Sequence, residues 1–122
     1  MIREIERPEI DFKFWIYTSF KFYYDEENGE YFIEINGKSK FYFNLEGNLH
    51  RIGKPAVLYY DGTKQWMENG KRHRLDGFAQ VSNFYKDFWI NDNRYTKKEF
   101  VEETKHLVCC NCGNFCKQEC FI

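Results

Sequence analysis

The chain has 122 residues, with 18 basic and 19 acidic side chains and a formal net charge of −1. That length fits one domain of ordinary size, and the near balance of charge excludes a general field for nucleic acid or an anionic membrane. Aromatic side chains make up 20% of the residues, with 13 Phe and 9 Tyr, a composition that favours pleated sheet over helix.

The opening "MIREIERPEIDFKF" is charged and lacks an uninterrupted apolar core, so it is not expected to be a signal peptide. No apolar run reaches the roughly 18 residues of a membrane span. The expected location is the cytoplasm, where thiols are more often free or metal-bound than bridged. "REIER" (3–7) and "DEEN" (25–28) read as solvated surface.

"DFKFWIYTSFKFYYD" alternates, placing Phe12, Phe14, Ile16, Thr18, Phe20 and Phe22 on one side of a strand. "YFIEI" (31–35) and "KFYFNL" (40–45) continue a meander, with turns at Asn28-Gly29 and Asn36-Gly37. "PAVLYYDGTKQWMENGK" reads as strand, turn at Asp61-Gly62, strand, turn at Asn69-Gly70, because Asp-Gly and Asn-Gly supply the positive φ angles of tight hairpins. Ala56, Leu58 and Tyr60 share a face, which Trp66 joins from the next strand.

"GNLHRIGKPA" (47–56) and "GKRHRLDGFA" (70–79) stand 23 residues apart, as do Trp66 and Trp89. The same offset pairs His50 with His73, Arg51 with Arg74, and Asn69-Gly70-Lys71 with Asp92-Asn93-Arg94; one period before Trp66 stands Phe43. Self-similarity at this spacing means stacked supersecondary units, with Trp66 and Trp89 buried between neighbouring hairpins. The period then changes: Thr96 stands three residues before Glu99 as a capping box, and Phe100, Val101, Thr104 and Leu107 fall near one helical face. The fold class is therefore mainly β: an antiparallel sheet of stacked β-hairpins occupying 1–107, with a short capping helix at about 96–107 and a cysteine-rich tail over 108–122.

The unit resembles the MORN repeat, in a variant written around W-Y-x-N-G-K-x-H-R-x-D-G-P-A. The carriers are Trp66, Asn69, Gly70, Lys71, His73, Arg74, Asp76, Gly77 and Ala79. The first copy keeps His50, Arg51, Pro55 and Ala56 but has Gly53-Lys54 where Asp-Gly is expected, and the second has Phe78 for proline. The resemblance covers roughly 43–100 and implies architecture more than activity. Such units resemble those in proteins of tailed bacteriophages and giant viruses, which implies a host or viral protein as partner and the host cytoplasm as location.

Three candidate sites follow. His50, Arg51, His73 and Arg74 form one ridge if successive units stack, and two such pairs fit the grip on a phosphate or carboxylate of a nucleotide or other anionic small molecule. The competing structural role has histidine capping backbone carbonyls and arginine pairing with an acid of the next unit, such as Asp76; recurrence in each unit favours it. No serine, cysteine or carboxylate recurs beside the histidines, so a hydrolase with a histidine base ranks last and no catalytic residue is assigned. The aromatic stripes lack the interleaved basic residues of a base-stacking platform and read as core, which makes nucleic acid an unfavoured partner. All 5 cysteines lie between 109 and 120: Cys109, Cys112, Cys116 and Cys120 are the candidate ligands of one structural zinc, with His106 or Cys110 as substitutes. Free thiols and disulfides remain open for the same cluster. The reading that joins these observations is a non-enzymatic protein-interaction module, with an anion binder as the alternative.

Overall fold

The computed structural model describes residues 1–15 and 20–105. Eleven strands and one helix occupy the described chain: β1 Ile2–Ile5, β2 Lys21–Asp25, β3 Glu30–Ile35, β4 Ser39–Phe43, β5 Val57–Leu58, β6 Lys64–Gln65, β7 Met67–Glu68, β8 Lys71–Arg72, β9 Gln80–Val81, β10 Lys86–Ile90, β11 Asn93–Tyr95 and α1 Lys97–Thr104. Nine of them form one antiparallel sheet in the order β1-β2-β3-β4-β5-β6-β9-β10-β11, with β7-β8 as a separate hairpin. The expected antiparallel hairpin sheet with a terminal helix is therefore present. Among the described residues no helix is long and apolar enough to cross a membrane.

Turn chemistry drives the local structure. Asn36 and Gly37 (φ 54° and 68°), Asn69 and Gly70 (52° and 80°), and Asn91 and Asp92 (47° and 68°) hold paired positive φ angles, the requirement of the tightest hairpin turns. The last turn is therefore Asn91-Asp92, one residue earlier than the 23-residue spacing expects.

The register explains where the core sits. One rung of directly opposed residues runs Phe22, Ile33, Phe41, Val57 and then Gln65, Gln80, Asp87. The apolar half of that rung is buried, and Phe12 packs over it, 5.1 Å from Phe43 and 5.8 Å from Phe22 between ring centroids. Lys13 N donates to Gly47 O (2.8 Å), fixing this covering segment. Residues 12–15 thus pack on the sheet rather than extending β2 as the alternation predicts, while Ile16 and Thr18 of that alternation lie outside the described residues. The "REIER" stretch is exposed at Arg3, Glu4, Glu6 and Arg7, as its reading as solvated surface expects, but it is not without structure. Its first half lies in β1, paired with β2, and its charged side chains suit an edge strand that must not pair further.

A second, smaller core closes the far end. Phe88 stacks on Phe78 (4.4 Å) and on Phe100 (4.3 Å) of α1. The capping box is present: Thr96 Oγ1 accepts from Glu99 N (3.1 Å) and Glu99 Oε1 accepts from Thr96 N (2.9 Å). Phe100 and Thr104 are buried; Leu107 lies outside the described residues, as does the cysteine tail with the zinc ligands assigned to it.

Two outcomes are expected of this scaffold. A Cβ at Gly47 (φ 88°) runs into the backbone of Asp11 and Phe12, whereas one at Gly37 (φ 68°) meets nothing. Gly47→Ala should therefore destabilise well beyond the roughly 1 kcal/mol of positive-φ strain that Gly37→Ala carries, measured by denaturant unfolding. Equal losses would mean that the 10–15 segment does not seat on Gly47. Asp25, at the β2–β3 turn, accepts from Asn28 Nδ2, Glu27 N and Asn28 N. The Asn28 side-chain bond, with the two backbone N–H groups, holds its carboxyl below the usual carboxylate value. A folded value below the unfolded one contributes stability that is present above the unfolded value and lost as pH falls through the folded one. Asp25→Asn should flatten the fall in melting temperature below about pH 4; an unchanged acid limb would show that this turn does not contribute.

Candidate functional site

The His-Arg dipeptides are cross-unit clamps. His50 N donates to Tyr42 O of the strand before, and Arg51 N donates to Met67 O of the strand after, both at 3.0 Å. In the next copy His73 N donates to Trp66 O (3.0 Å) and Arg74 N to Trp89 O (3.1 Å). Each dipeptide therefore joins a preceding element to a following one through two backbone donors.

The side chains complete the clamp. Asn69 N donates to His50 Nδ1 (2.9 Å) and Asn91 N to His73 Nδ1 (3.0 Å). Each histidine thus caps a turn amide of the next hairpin, whereas the sequence reading has it capping carbonyls. Accepting at Nδ1 leaves the ring hydrogen on Nε2. The Arg51 guanidinium lies over Tyr42 (3.8 Å to the ring centroid) and donates to Pro55 O (3.2 Å); Arg74 lies over Trp66 (4.0 Å) and donates to Phe78 O (3.0 Å). Stacking of this kind is worth about 0.5–2 kcal/mol each.

Each guanidinium also has its carboxylate. Arg74 Nε meets Asp76 Oδ1 at 2.9 Å within its own loop. Gly77 lets this guanidinium lie close to the backbone, since a Cβ there would stand 2.8 Å from the Arg74 Cζ. The first copy lacks Asp-Gly, and Arg51 Nε instead meets Glu30 Oε2 of β3 at 3.0 Å. The departure from the repeat pattern is thus compensated by a neighbouring strand. Glu30 Oε1 is buried with no hydrogen-bond partner among the described residues, a group that costs about 1–3 kcal/mol when left unmet. A cleft of about 490 Å³ opens beside His50, Arg51 and Lys54. His50 and His73 with their arginines therefore stand in successive units, but the histidine Nδ1 acceptors and the arginine Nε and Nη1 donors are committed to the fold.

The tryptophans differ from expectation. Trp66 and Trp89 are half-buried rather than enclosed, since each carries an arginine on one face; Arg72 lies 3.7 Å from the Trp89 ring centroid. They are not equivalent positions either. Trp66 N donates to Ala79 O and Tyr42 N to Ala56 O, which equates Trp66 with Tyr42 at an offset of 24. Ala79 N donates to Asp87 O and Ala56 N to Gln65 O, which equates Asp87 with Gln65 at 22 and hence Phe88 with Trp66. The loops keep the 23-residue period while the strands alternate between 24 and 22.

That register exposes positions invisible at the 23-residue offset. Lys40, Lys64 and Lys86 are equivalent under the 24 and 22 offsets, opening "KFYFN", "KQWMEN" and "KDFWIN". They lie in one cross-strand rung: Lys21, Glu34, Lys40, Leu58, Lys64, Val81, Lys86. Directly opposed residues share a face, so four lysines line one face at every second strand. The rung lies at the end of the strands that carries the β5–β6 and β9–β10 tips. Tyr60 (76% exposed), Phe84 (94%) and Tyr85 (43%) stand on those tips. Beside them, a cleft of about 500 Å³ is lined by Trp15, Ile35, Phe41, Tyr59 and Tyr60. The turns capped by His50 and His73 lie at the opposite end.

If the dipeptides are clamps, Arg51→Ala leaves Glu30 unpaired where the two side chains are only 10% and 21% exposed. A loss of about 2–3 kcal/mol is expected, short of the 3–5 of a fully enclosed pair. His73→Ala should cost only about 0.5–1.5 kcal/mol, since one turn amide returns to water. Denaturant unfolding with a double-mutant cycle on Arg51 and Glu30 measures this. A coupling below about 0.5 kcal/mol would reduce the pair to an ordinary surface contact.

No family model, curated protein or solved structure matches the chain.

Proposed function

We propose that the chain is a non-enzymatic module of MORN-like hairpins that binds a protein partner, viral or host, through the tip end of its array. The observation that carries this reading is the set of aromatic side chains held out on the β5–β6 and β9–β10 tips, led by Tyr60 and Phe84. Large aromatic groups are the usual anchors of protein interfaces, and a hairpin tip is where one can be exposed without disturbing a core. The division of labour between the two ends supports it: the His-Arg residues hold units together at one end, leaving the other for recognition. Hairpins stacked in a row also present an extended surface that suits a macromolecular partner.

A second reading, an anion binder, is favoured only by the cleft beside His50, Arg51 and Lys54. Its guanidinium is already neutralised by Glu30, so an anion there must displace a carboxylate.

The test is affinity capture with the wild type and with Tyr60→Ser/Phe84→Ser, followed by a thermal-shift screen against nucleotides. The double variant should keep its stability within about 0.5 kcal/mol, as surface changes do, and lose the captured protein. Capture that is unchanged in the folded variant, or a nucleotide shift abolished by Arg51→Gln, would overturn the reading.

A further inference from the structure

The cross-strand rung has a pattern of its own. Between the lysines of the three equivalent strands stand apolar residues, giving Lys40, Leu58, Lys64, Val81, Lys86 in order across the sheet. Lys64 and Lys86 are exposed, while Lys40, Leu58 and Val81 are half-buried. None of the three lysines makes an ion pair among the described residues, whereas Arg51, Arg72, Arg74 and Arg94 all do. Lys40 Nζ lies 5.3 Å from the Phe32 ring centroid and Lys86 Nζ 5.8 Å from that of Phe78, ring contacts rather than ion pairs, and the one carboxylate of the rung is Glu34, opposite Lys40. In a chain of net charge −1, the arginines are thus spent inside the fold and a line of lysines is left over.

We propose that this rung is the docking line for an acidic amphipathic helix of a protein partner, its carboxylates meeting Lys40, Lys64 and Lys86 and its apolar side chains meeting Leu58 and Val81. The inference rests on the protein-binding reading above and names the partner's chemistry. Strands lie about 4.8 Å apart, so the lysines recur every ~9.6 Å. A helix with an acid at every seventh position presents carboxylates ~10.5 Å apart, with the intervening turns free for apolar residues. Same-face side chains of an extended strand recur at only ~6.7 Å. The four-carbon lysine stem absorbs a mismatch of about 1 Å and the twist of the sheet. A nucleic-acid backbone matches less well. It offers nothing apolar to Leu58 and Val81, which stand between the lysines of the rung.

The experiment uses the full chain and a fluorescein-labelled synthetic helix of about 22 residues. The helix carries glutamate at every seventh position and leucine midway between successive glutamates. A scrambled peptide of the same composition and an oligothymidine of about 25 nucleotides are run beside it, with binding read by anisotropy at low and high salt. Expected is saturable binding of the ordered peptide that weakens with salt and falls about tenfold or more in Lys40→Gln/Lys64→Gln/Lys86→Gln. Lys64→Gln alone, at the centre of the line, serves if the triple variant does not fold, and should weaken binding severalfold. Equal binding by the variant or by the scrambled peptide, or no saturable binding at all, overturns the proposal. Tighter binding of oligothymidine overturns it in favour of a nucleic-acid groove. If the acidic helix fails while capture through Tyr60 and Phe84 persists, only the partner's chemistry is wrong; loss of both removes the module reading itself.

Discussion

The structure depends on one interaction, an arginine laid over the aromatic ring of the preceding unit. Short strands of two residues, such as β5, β6 and β9, offer few ladder hydrogen bonds and little core. What holds them in register is the Arg51–Tyr42 or Arg74–Trp66 stack together with the backbone bridges of the His-Arg dipeptide. A planar cation suits this place because it packs like an apolar group on its face and donates in its plane. One side chain thereby replaces both a core residue and a loop cap. The half-buried state of Trp66 and Trp89 fits this arrangement, since one face of each ring is covered by an arginine rather than by another hairpin.

The same economy explains the uneven core. The rung that begins with Phe22, Ile33 and Phe41 continues as Gln65, Gln80 and Asp87, and the polar half is serviced by Arg72 on Gln80 (3.3 Å) and Arg94 on Asp87 (2.8 Å). The N-terminal strands supply a conventional apolar core under Phe12, while the repeats substitute hydrogen-bonded arginines for buried hydrocarbon. Phe88 and Phe100 then anchor the last hairpin to the helix.

What the sequence discloses is what local chemistry dictates. Asn36-Gly37 and Asn69-Gly70 announce their turns because few other residues accept positive φ, and Thr96 with Glu99 announces the helix because the capping box is self-contained. The spacing of His50 to His73 is equally legible, since both loops do the same job. Pairing at a distance is not. Arg51 takes its carboxylate from Glu30, 21 residues back, where no repeat logic points. β1 reads as solvated charge because an edge strand need bury nothing. Above all, the 23-residue period aligns Trp66 with Trp89 by identity, whereas the hydrogen bonds align Trp66 with Phe88. A slip of one residue reverses every side chain of a strand, so the lysine rung stays hidden until strands are matched by register.

The alternation of 24 and 22 residues has a consequence for how such an array changes length. Residues gained in one strand segment are given back in the next, so the dipeptide clamps keep their separation while the strands between them slide. Because each clamp reaches only to its immediate neighbours, nothing within the repeats fixes their number; the ends do, through the Phe12 segment at one side and Phe100 at the other. Duplication of a unit between those ends would extend the sheet by one up-and-down pair and lengthen its lysine line by one step of ~9.6 Å. The protein is in this respect a ruler whose graduations are set by hydrogen-bond register and whose total length is set by its caps.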